Sequence, residues 1–136
     1  MPDVTVMRLD EMDAIYGGSF VRVRGSLGVT SFGMQVENLP PNHQDYPNHN
    51  HAGQPVDDGQ EEVYIPLSGS AKLVVGDQEW QLEPGTMARV GATEMRKILP
   101  GADGVQLLCL GGTPGQAFEV QGWSEPGGPI PDVPTD

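Results

Sequence analysis

Two histidines and two glutamates lie close together in the segment HNHAGQPVDDGQEE. The chain has three histidines, His43, His49 and His51, and all of them fall within this region or just before it. His49 and His51 are one residue apart, so in an extended strand both side chains would project to the same side. Glu61 and Glu62 follow after a loop. Imidazole nitrogens and carboxylate oxygens bind transition metals, so this segment is a candidate metal site.

The elements that would position these side chains are short strands. Glycine and proline account for 19 and 13 residues, and short apolar runs are spaced among them, which favours strands and tight turns over helices. The turns SGS, GDQ and EPG predict consecutive antiparallel hairpins, and one short N-terminal helix is predicted at residues 9–15. The fold class is therefore all-β, a sandwich or barrel. The predicted strands are 20–25, 31–39, 62–69, 71–76, 78–82, 86–91, 95–99 and 104–112.

Composition limits the partners of the chain. Its 136 residues fit one domain, which we place at residues 1–122, followed by a Pro/Gly-rich tail at 123–136 that we expect to be extended or solvated. A formal charge of -12 would repel nucleic acids and anionic membrane surfaces, so neither is an expected partner. We find no membrane span or secretion signal and expect a cytoplasmic protein. Cys109 is the single cysteine, lies in an apolar run, and is expected to be a buried small hydrophobe.

Two segments resemble the sequence motifs of the cupin superfamily. HNH is followed by EEVYIPLSG, in which Glu62 lies seven positions before Gly69, as in the first cupin motif, and Pro84-Gly85 in LEPGTMARV fits the second motif. The resemblance covers residues 31–112 and is to small, single-domain bacterial cupins of uncharacterised function. It implies a jelly-roll β-barrel that is usually a homodimer and carries its site inside the barrel. The strand count is compatible with that fold.

The resemblance also implies a ligand set. His49, His51 and Glu62 would form a two-histidine, one-carboxylate site for a divalent transition metal, such as Fe, Zn, Mn, Ni or Co. Glu61 is the alternative carboxylate, and His43 is a further candidate of lower rank. The sequence departs from the motifs in two ways. The loop of ten residues between His51 and Glu62 is longer than usual, and Arg96 stands where related sequences carry the last histidine. An arginine has no lone pair to offer a metal.

Other residues suggest ligand binding. Arg96 could hold a carboxylate or phosphate of a small molecule by a bidentate contact. Arg22 and Arg24 share one face of a predicted strand and either add to that contact or lie in solvent. Tyr64 follows Glu62 at strand spacing, so it shares the inward face, where it hydrogen-bonds a ligand, acts as a catalytic acid or packs in the core.

Three functions fit these residues. The first is a metal-dependent oxygenase, isomerase or lyase acting on a small organic molecule, in which the metal supplies Lewis-acid or redox chemistry. The second is a binding or sensing protein with little or no metal, in which Arg96 holds an anionic ligand. The third is a metal-free interaction barrel whose interior is packed by side chains.

Overall fold

The computed structural model describes residues 1–53 and 58–131, and most of the ordered elements within them form one antiparallel sheet. The strand order is β1-β2-β3-β7-β4-β5, and β6 pairs with β4 off this path. The all-β prediction is confirmed. The strands are β1 (Ala14–Ile15), β2 (Phe20–Val21), β3 (Gly33–Leu39), β4 (Glu61–Val75), β5 (Gln78–Leu82), β6 (Ala88–Val90) and β7 (Lys97–Gly112).

The two longest strands, β4 and β7, pair with each other and carry most of the sheet. Each replaces two predicted short strands, because the pairing of β4 with β7 continues on both sides of the SGS segment and of residues 101–104. The pairing shifts between Pro66 and Ser68 and again between Gly69 and Ala71. Such bulges bend a strand and change which residues face inward. Gly69 has a φ of 72°, and a Cβ there would lie 2.1 Å from the Gly104 carbonyl oxygen, so the bend needs glycine.

The hairpin predicted at GDQ is confirmed, since β4 and β5 pair antiparallel across Gly76 and Asp77. The hairpin predicted at EPG is wrong. Strand β6 pairs with the start of β4, from Glu62 to Tyr64, whereas β5 pairs with its end, from Ala71 to Val75. The two strands therefore follow each other along one edge of β4, and β6 comes to lie beside the segment that carries Glu62.

The sheet packs a cluster of buried residues on each face. Leu107 and Cys109 of β7 belong to the larger cluster, whereas Leu108 between them packs against the smaller one. This is the alternation of a strand that is covered on both sides. The larger cluster adjoins the candidate site and consists of Tyr46, Tyr64, Ala71, Leu73, Leu82, Val90, Ile98, Val105, Leu107 and Cys109.

The strand predicted at 20–25 is largely wrong, because only Phe20–Val21 is a strand and a helix, α1 (Val23–Leu27), follows it. Gly28 ends α1 in the left-handed conformation, with a φ of 82°. The alternating valines and arginines suggested a strand with a solvent face, but both arginines are buried. The helix predicted at 9–15 is reduced to a 3-10 turn at Leu9–Glu11. Within the described residues no helix is long and apolar enough to cross a membrane.

The start of the C-terminal segment packs on α1. Arg24 donates to the Ser124 hydroxyl at 2.7 Å and to a Glu125 carboxylate oxygen at 2.7 Å. Arg22 donates to the carbonyl oxygens of Gly128 and Pro129. Residues 124–129 are thus held by buried guanidinium groups, and the end of the predicted tail, 132–136, lies outside the described residues.

Candidate metal centre

His49 and Arg96 are paired backbone to backbone beside the larger cluster. The amide of His49 donates to the Arg96 carbonyl at 3.0 Å, and the amide of Arg96 donates to the His49 carbonyl at 2.8 Å. The His51 amide donates to the Ala92 carbonyl at 2.7 Å. Directly paired residues of an antiparallel bridge project to the same side, so His49 and Arg96 share one face. The loop before β7 therefore fixes both histidines and the arginine.

Glu62, on β4, brings its carboxylate to both imidazoles. Its Oε1 lies 2.8 Å from His51 Nε2 and 3.8 Å from His49 Nε2. The potential ligand atoms of the three residues all lie within 4.8 Å of one another. His51 and Glu62 are each 6% exposed, so this convergence occurs away from bulk water.

The tautomer of His49 suits metal binding. Its Nδ1 lies 3.1 Å from the Pro47 carbonyl oxygen, which can only accept a hydrogen bond. Nδ1 must therefore carry the proton when the ring is neutral, and Nε2 presents its lone pair toward Glu62. A backbone carbonyl that orients a histidine in this way is a common partner of metal-bound imidazoles.

Glu62 is ionised at neutral pH. Burial raises the pKa of its carboxyl, but the neighbouring His49, His51 and Tyr64 side chains outweigh burial and hold that pKa well below its usual range. The Tyr64 hydroxyl donates to Glu62 Oε1 at 2.8 Å. Burial, followed by the Glu62 charge, raises the pKa of the Tyr64 phenol well above its usual value. Tyr64 is therefore a neutral hydrogen-bond donor that holds a charged carboxylate in place.

The Arg96 side chain points toward Glu62 in the same cluster of site residues. It is 0% exposed, its Nη1 lies 3.4 Å from Glu62 Oε1, and its Nη2 donates to the Gly91 carbonyl at 2.6 Å. Its Nε is buried and has no hydrogen-bond partner within the described residues. The Glu62 carboxylate offsets the Arg96 charge, which reduces the repulsion that a metal ion would meet here.

Solved structures share this fold. A cupin protein from Bacteroides fragilis superimposes with a TM-score of 0.67 at 22% identity, over 89% of this chain and 93% of that one. A sugar phosphate isomerase from a cupin superfamily, from Silicibacter pomeroyi, gives 0.63 at 19%, over 79% and 74%. A structure of DMSP lyases gives 0.51 at 23%, over 66% and 44%. No protein-family model and no curated protein sequence matches the chain.

The chain has the cupin fold. The jelly roll predicted from the two sequence motifs is thereby confirmed. In this cupin fold Glu62 lies on β4 with Gly69 at its bulge, and Pro84-Gly85 forms the turn before β6. Arg96, which stands where the motif has its last histidine, lines the wall of the site beside His49.

The remaining sequence candidates lie elsewhere in the fold. Glu61 faces away from Glu62, and its carboxylate pairs with the exposed Arg89 at 2.7 Å. His43 is half-buried in the loop after β3, outside the cluster of ligand atoms. The sequence predicts that Arg22 and Arg24 share one strand face, which either contacts a ligand or lies in solvent. Their guanidinium groups instead bind carboxylates and carbonyls of the N- and C-terminal segments, because both residues flank or belong to α1 rather than a strand.

Sequence reasoning missed Glu37 and Tyr46. Glu37 lies in β3, where polar Gln35 and Glu37 alternate with apolar Met34 and Val36, and this pattern is typical of a strand with one solvent face. Both faces of the sheet are covered here, so the signal was misleading. Tyr46 is 7% exposed, and its ring centroid is 5.7 Å from that of His49. The sequence signal that could have identified Tyr46 as a site residue is its position three residues before His49.

The donor set fits a divalent transition metal. Two ligands at right angles, each about 2.1 Å from one ion, are about 3.0 Å apart, and tetrahedral ligands are about 3.4 Å apart. The separations of 2.8 Å and 3.8 Å between Glu62 Oε1 and the histidine nitrogens bracket these values. Two imidazoles and one carboxylate match the two-histidine, one-carboxylate set. The His51 proton shared with Glu62 would leave on metal binding, as ligands must be deprotonated.

Proposed function

We propose that this cupin binds a divalent transition metal through His49, His51 and Glu62 and acts on a small organic molecule. The observation that carries the proposal is the convergence of three ligand atoms within 4.8 Å in a buried interior. Such a metal keeps open positions and supplies Lewis-acid or redox chemistry to a bound molecule. The reaction class is an oxygenase, isomerase or lyase, and the metal is one of Fe, Zn, Mn, Ni or Co.

The surrounding residues prepare the ligands. The Pro47 carbonyl holds the His49 tautomer, and the Tyr64 hydroxyl holds the Glu62 carboxylate. Tyr64 is also the candidate catalytic acid, since its hydroxyl lies beside the carboxylate that would bind the metal. Arg96 balances the charge of Glu62 and lines the same interior. These contacts leave the ligands with little freedom before a metal arrives, which favours tight binding.

A binding or sensing function is the second candidate, and Arg96 supports it. Its Nε is a buried donor without a partner in the described residues, and a carboxylate or phosphate of a ligand would supply one. In that case the ligand would bind with little or no metal. The buried Arg96 favours this candidate over an interaction barrel without a ligand.

A homodimer is part of the proposal. Val4 and Val6 are 73% and 88% exposed on an N-terminal segment that forms no helix or strand. Trp80 is 46% exposed on β5, which is an edge strand of the sheet. Exposed apolar side chains and an open strand edge are both features of association sites. A cytoplasmic location stays a prediction from the sequence.

A thermal-shift screen separates the two functions. Wild-type protein, Arg96→Ala, and the double variant His49→Ala/His51→Ala are each heated with small carboxylates and sugar phosphates, with added Zn²⁺ or with chelator. A ligand raises the melting temperature only if it binds the folded state. For the metal-dependent function, stabilisation by the organic compound needs Zn²⁺ and both histidines. Stabilisation that persists in chelator and disappears in Arg96→Ala would instead establish the anion-binding function.

A further inference from the structure

Glu37 faces the same interior as the candidate metal centre. Its partner across the β3 and β7 pairing is Leu107, and Leu107 is paired in turn with Pro66 of β4. Directly opposed residues of antiparallel strands project to the same face of a sheet. Glu62 and Tyr64 alternate with Pro66 along β4, so they project to that face as well. The sheet thus presents two carboxyl groups, Glu37 and Glu62, to one interior.

One carboxylate oxygen of Glu37, Oε2, lacks a hydrogen-bond partner among the described residues. This oxygen is closed to solvent, although the residue as a whole is half-buried. Buried polar atoms are nearly always paired in folded proteins, so an unpaired one indicates a missing partner. No ion pair neutralises Glu37 among the described residues, in contrast to Glu62, which contacts Arg96.

The environment of Glu37 favours its neutral form. Burial, followed by the charge of Glu62, raises the pKa of Glu37 to about 8. In the metal-free protein its carboxyl is therefore mostly protonated at neutral pH and carries an O–H that can donate a hydrogen bond. Besides Glu62, the ionisable groups that face this interior within the described residues are His49, His51, Tyr46, Tyr64, Arg96 and Cys109.

Charge balance indicates what Glu37 would donate to. A divalent ion at His49, His51 and Glu62 would add two positive charges beside Arg96, and Glu62 cancels one of the three. The interior would then carry two excess positive charges, which favours an anionic ligand. An ionised Glu37 would repel such a ligand, whereas a protonated Glu37 would not and would offer it a donor.

We propose that Glu37 is a ligand-binding residue of this site, whose carboxylic acid donates a hydrogen bond to an oxygen of a small carboxylate ligand. This inference rests on the proposed function and extends it by naming the ligand class. Glu37 selects for an acceptor oxygen, because a site built to donate a buried hydrogen bond discriminates against a ligand that cannot accept one.

The protonation of Glu37 is tested first, in metal-free protein. Protein labelled with ¹³C at the glutamate side-chain carboxyls is titrated from pH 5 to pH 9 in the presence of a chelator, as wild type and as Glu37→Gln. One carboxyl signal should titrate near pH 8 in wild type and be absent from the variant. If the signal lost in Glu37→Gln instead titrates with the exposed glutamates at low pH, the inference is overturned. This measurement does not depend on metal binding.

The hydrogen bond is tested with oxalate as the probe. Zn²⁺-loaded wild type, Glu37→Gln and Glu37→Leu are titrated with oxalate by calorimetry at pH 6.5, and their zinc content is measured in parallel. Glu37→Leu should weaken oxalate binding by about tenfold or more. Glu37→Gln should bind nearly as wild type does, because its amide still donates. Wild-type binding should also weaken once Glu37 ionises at higher pH, whereas binding by Glu37→Gln should show no such loss.

Failure of this inference differs from failure of the proposed function. Normal zinc content with equal oxalate affinity in all three proteins, or with no oxalate binding by wild type, overturns the role of Glu37 alone. Absence of zinc from wild type refutes the proposed function. The titrations are then repeated without metal, where Arg96 supplies the positive charge and the same order of affinities is expected. Equal affinities under those conditions would also overturn the inference.

Discussion

Replacing Glu62 by glutamine should destabilise the metal-free protein strongly, because it leaves a buried cation without its counter-charge. Arg96 is 0% exposed, and its only charged partner among the described residues is Glu62, at 3.4 Å. Two unit charges at that distance attract by about 5 kcal/mol at an effective dielectric constant of 20. An amide costs less to bury than a carboxylate, so we expect Glu62→Gln to lower the free energy of unfolding by about 3 kcal/mol.

The assay is urea unfolding followed by tryptophan fluorescence, with chelator present throughout. The neighbouring Glu61→Gln is the matched control, since it removes a carboxylate from an exposed pair with Arg89 and should cost less than about 1 kcal/mol. Adding Arg96→Met to Glu62→Gln should restore much of the loss, because the uncompensated charge is then gone. If Glu62→Gln is no more costly than Glu61→Gln, Arg96 does not depend on Glu62 and the electrostatic account of the site is wrong.

Three further predictions follow from other features. Arg96→His should tighten Zn²⁺ binding by about tenfold or more in a chelator competition, because the substitution removes a cation and adds an imidazole. An unchanged Zn²⁺ affinity would mean that this side chain does not adjoin the metal. The pKa of Glu37 is raised from 4.5 to about 8, so the folded protein keeps a proton that the unfolded chain loses. The free energy of unfolding of the metal-free protein should therefore fall as pH rises from about 4.5 to about 8, by at most about 1.4 kcal/mol per pH unit. Glu37→Gln should flatten this dependence. Parallel curves of unfolding free energy against pH for wild type and Glu37→Gln would contradict the raised pKa. Val4→Asp with Val6→Asp should shift the molar mass measured by light scattering from dimer to monomer, and a wild-type monomer would refute the proposed dimer.

The sequence predicted the fold class and the residues that meet in the interior, because both depend on local pattern. His49 and His51 have the one-residue spacing of neighbours on one face, and Glu62 and Tyr64 have the same spacing on β4. Short-range spacing is preserved when a strand forms, so these side chains could be grouped before their partners were known.

The errors arose where long-range pairing overrides local pattern. The SGS segment looked like a turn, but β7 pairs along it and makes β4 one bent strand. Arg22 and Arg24 looked like solvent-facing strand residues, but their partners Asp13 and Glu125 lie 9 and 101 positions away in the chain, respectively. The orientation of Arg96 depends on its backbone pairing with His49, which no local pattern encodes. Glu37 was missed because a polar face on a strand looks the same whether it is covered by water or by the other wall of a barrel.

The measurement that tests the central claim most directly is the number of metal ions per chain. Wild type, His49→Ala/His51→Ala and His43→Ala are purified without chelators, loaded with Zn²⁺, desalted and analysed for metal. We expect about one ion per chain in wild type and in His43→Ala, since His43 lies outside the cluster of ligand atoms, and almost none in the double variant. Equal metal content in all three proteins, or no metal in wild type, would contradict the assignment of His49, His51 and Glu62 as a metal centre.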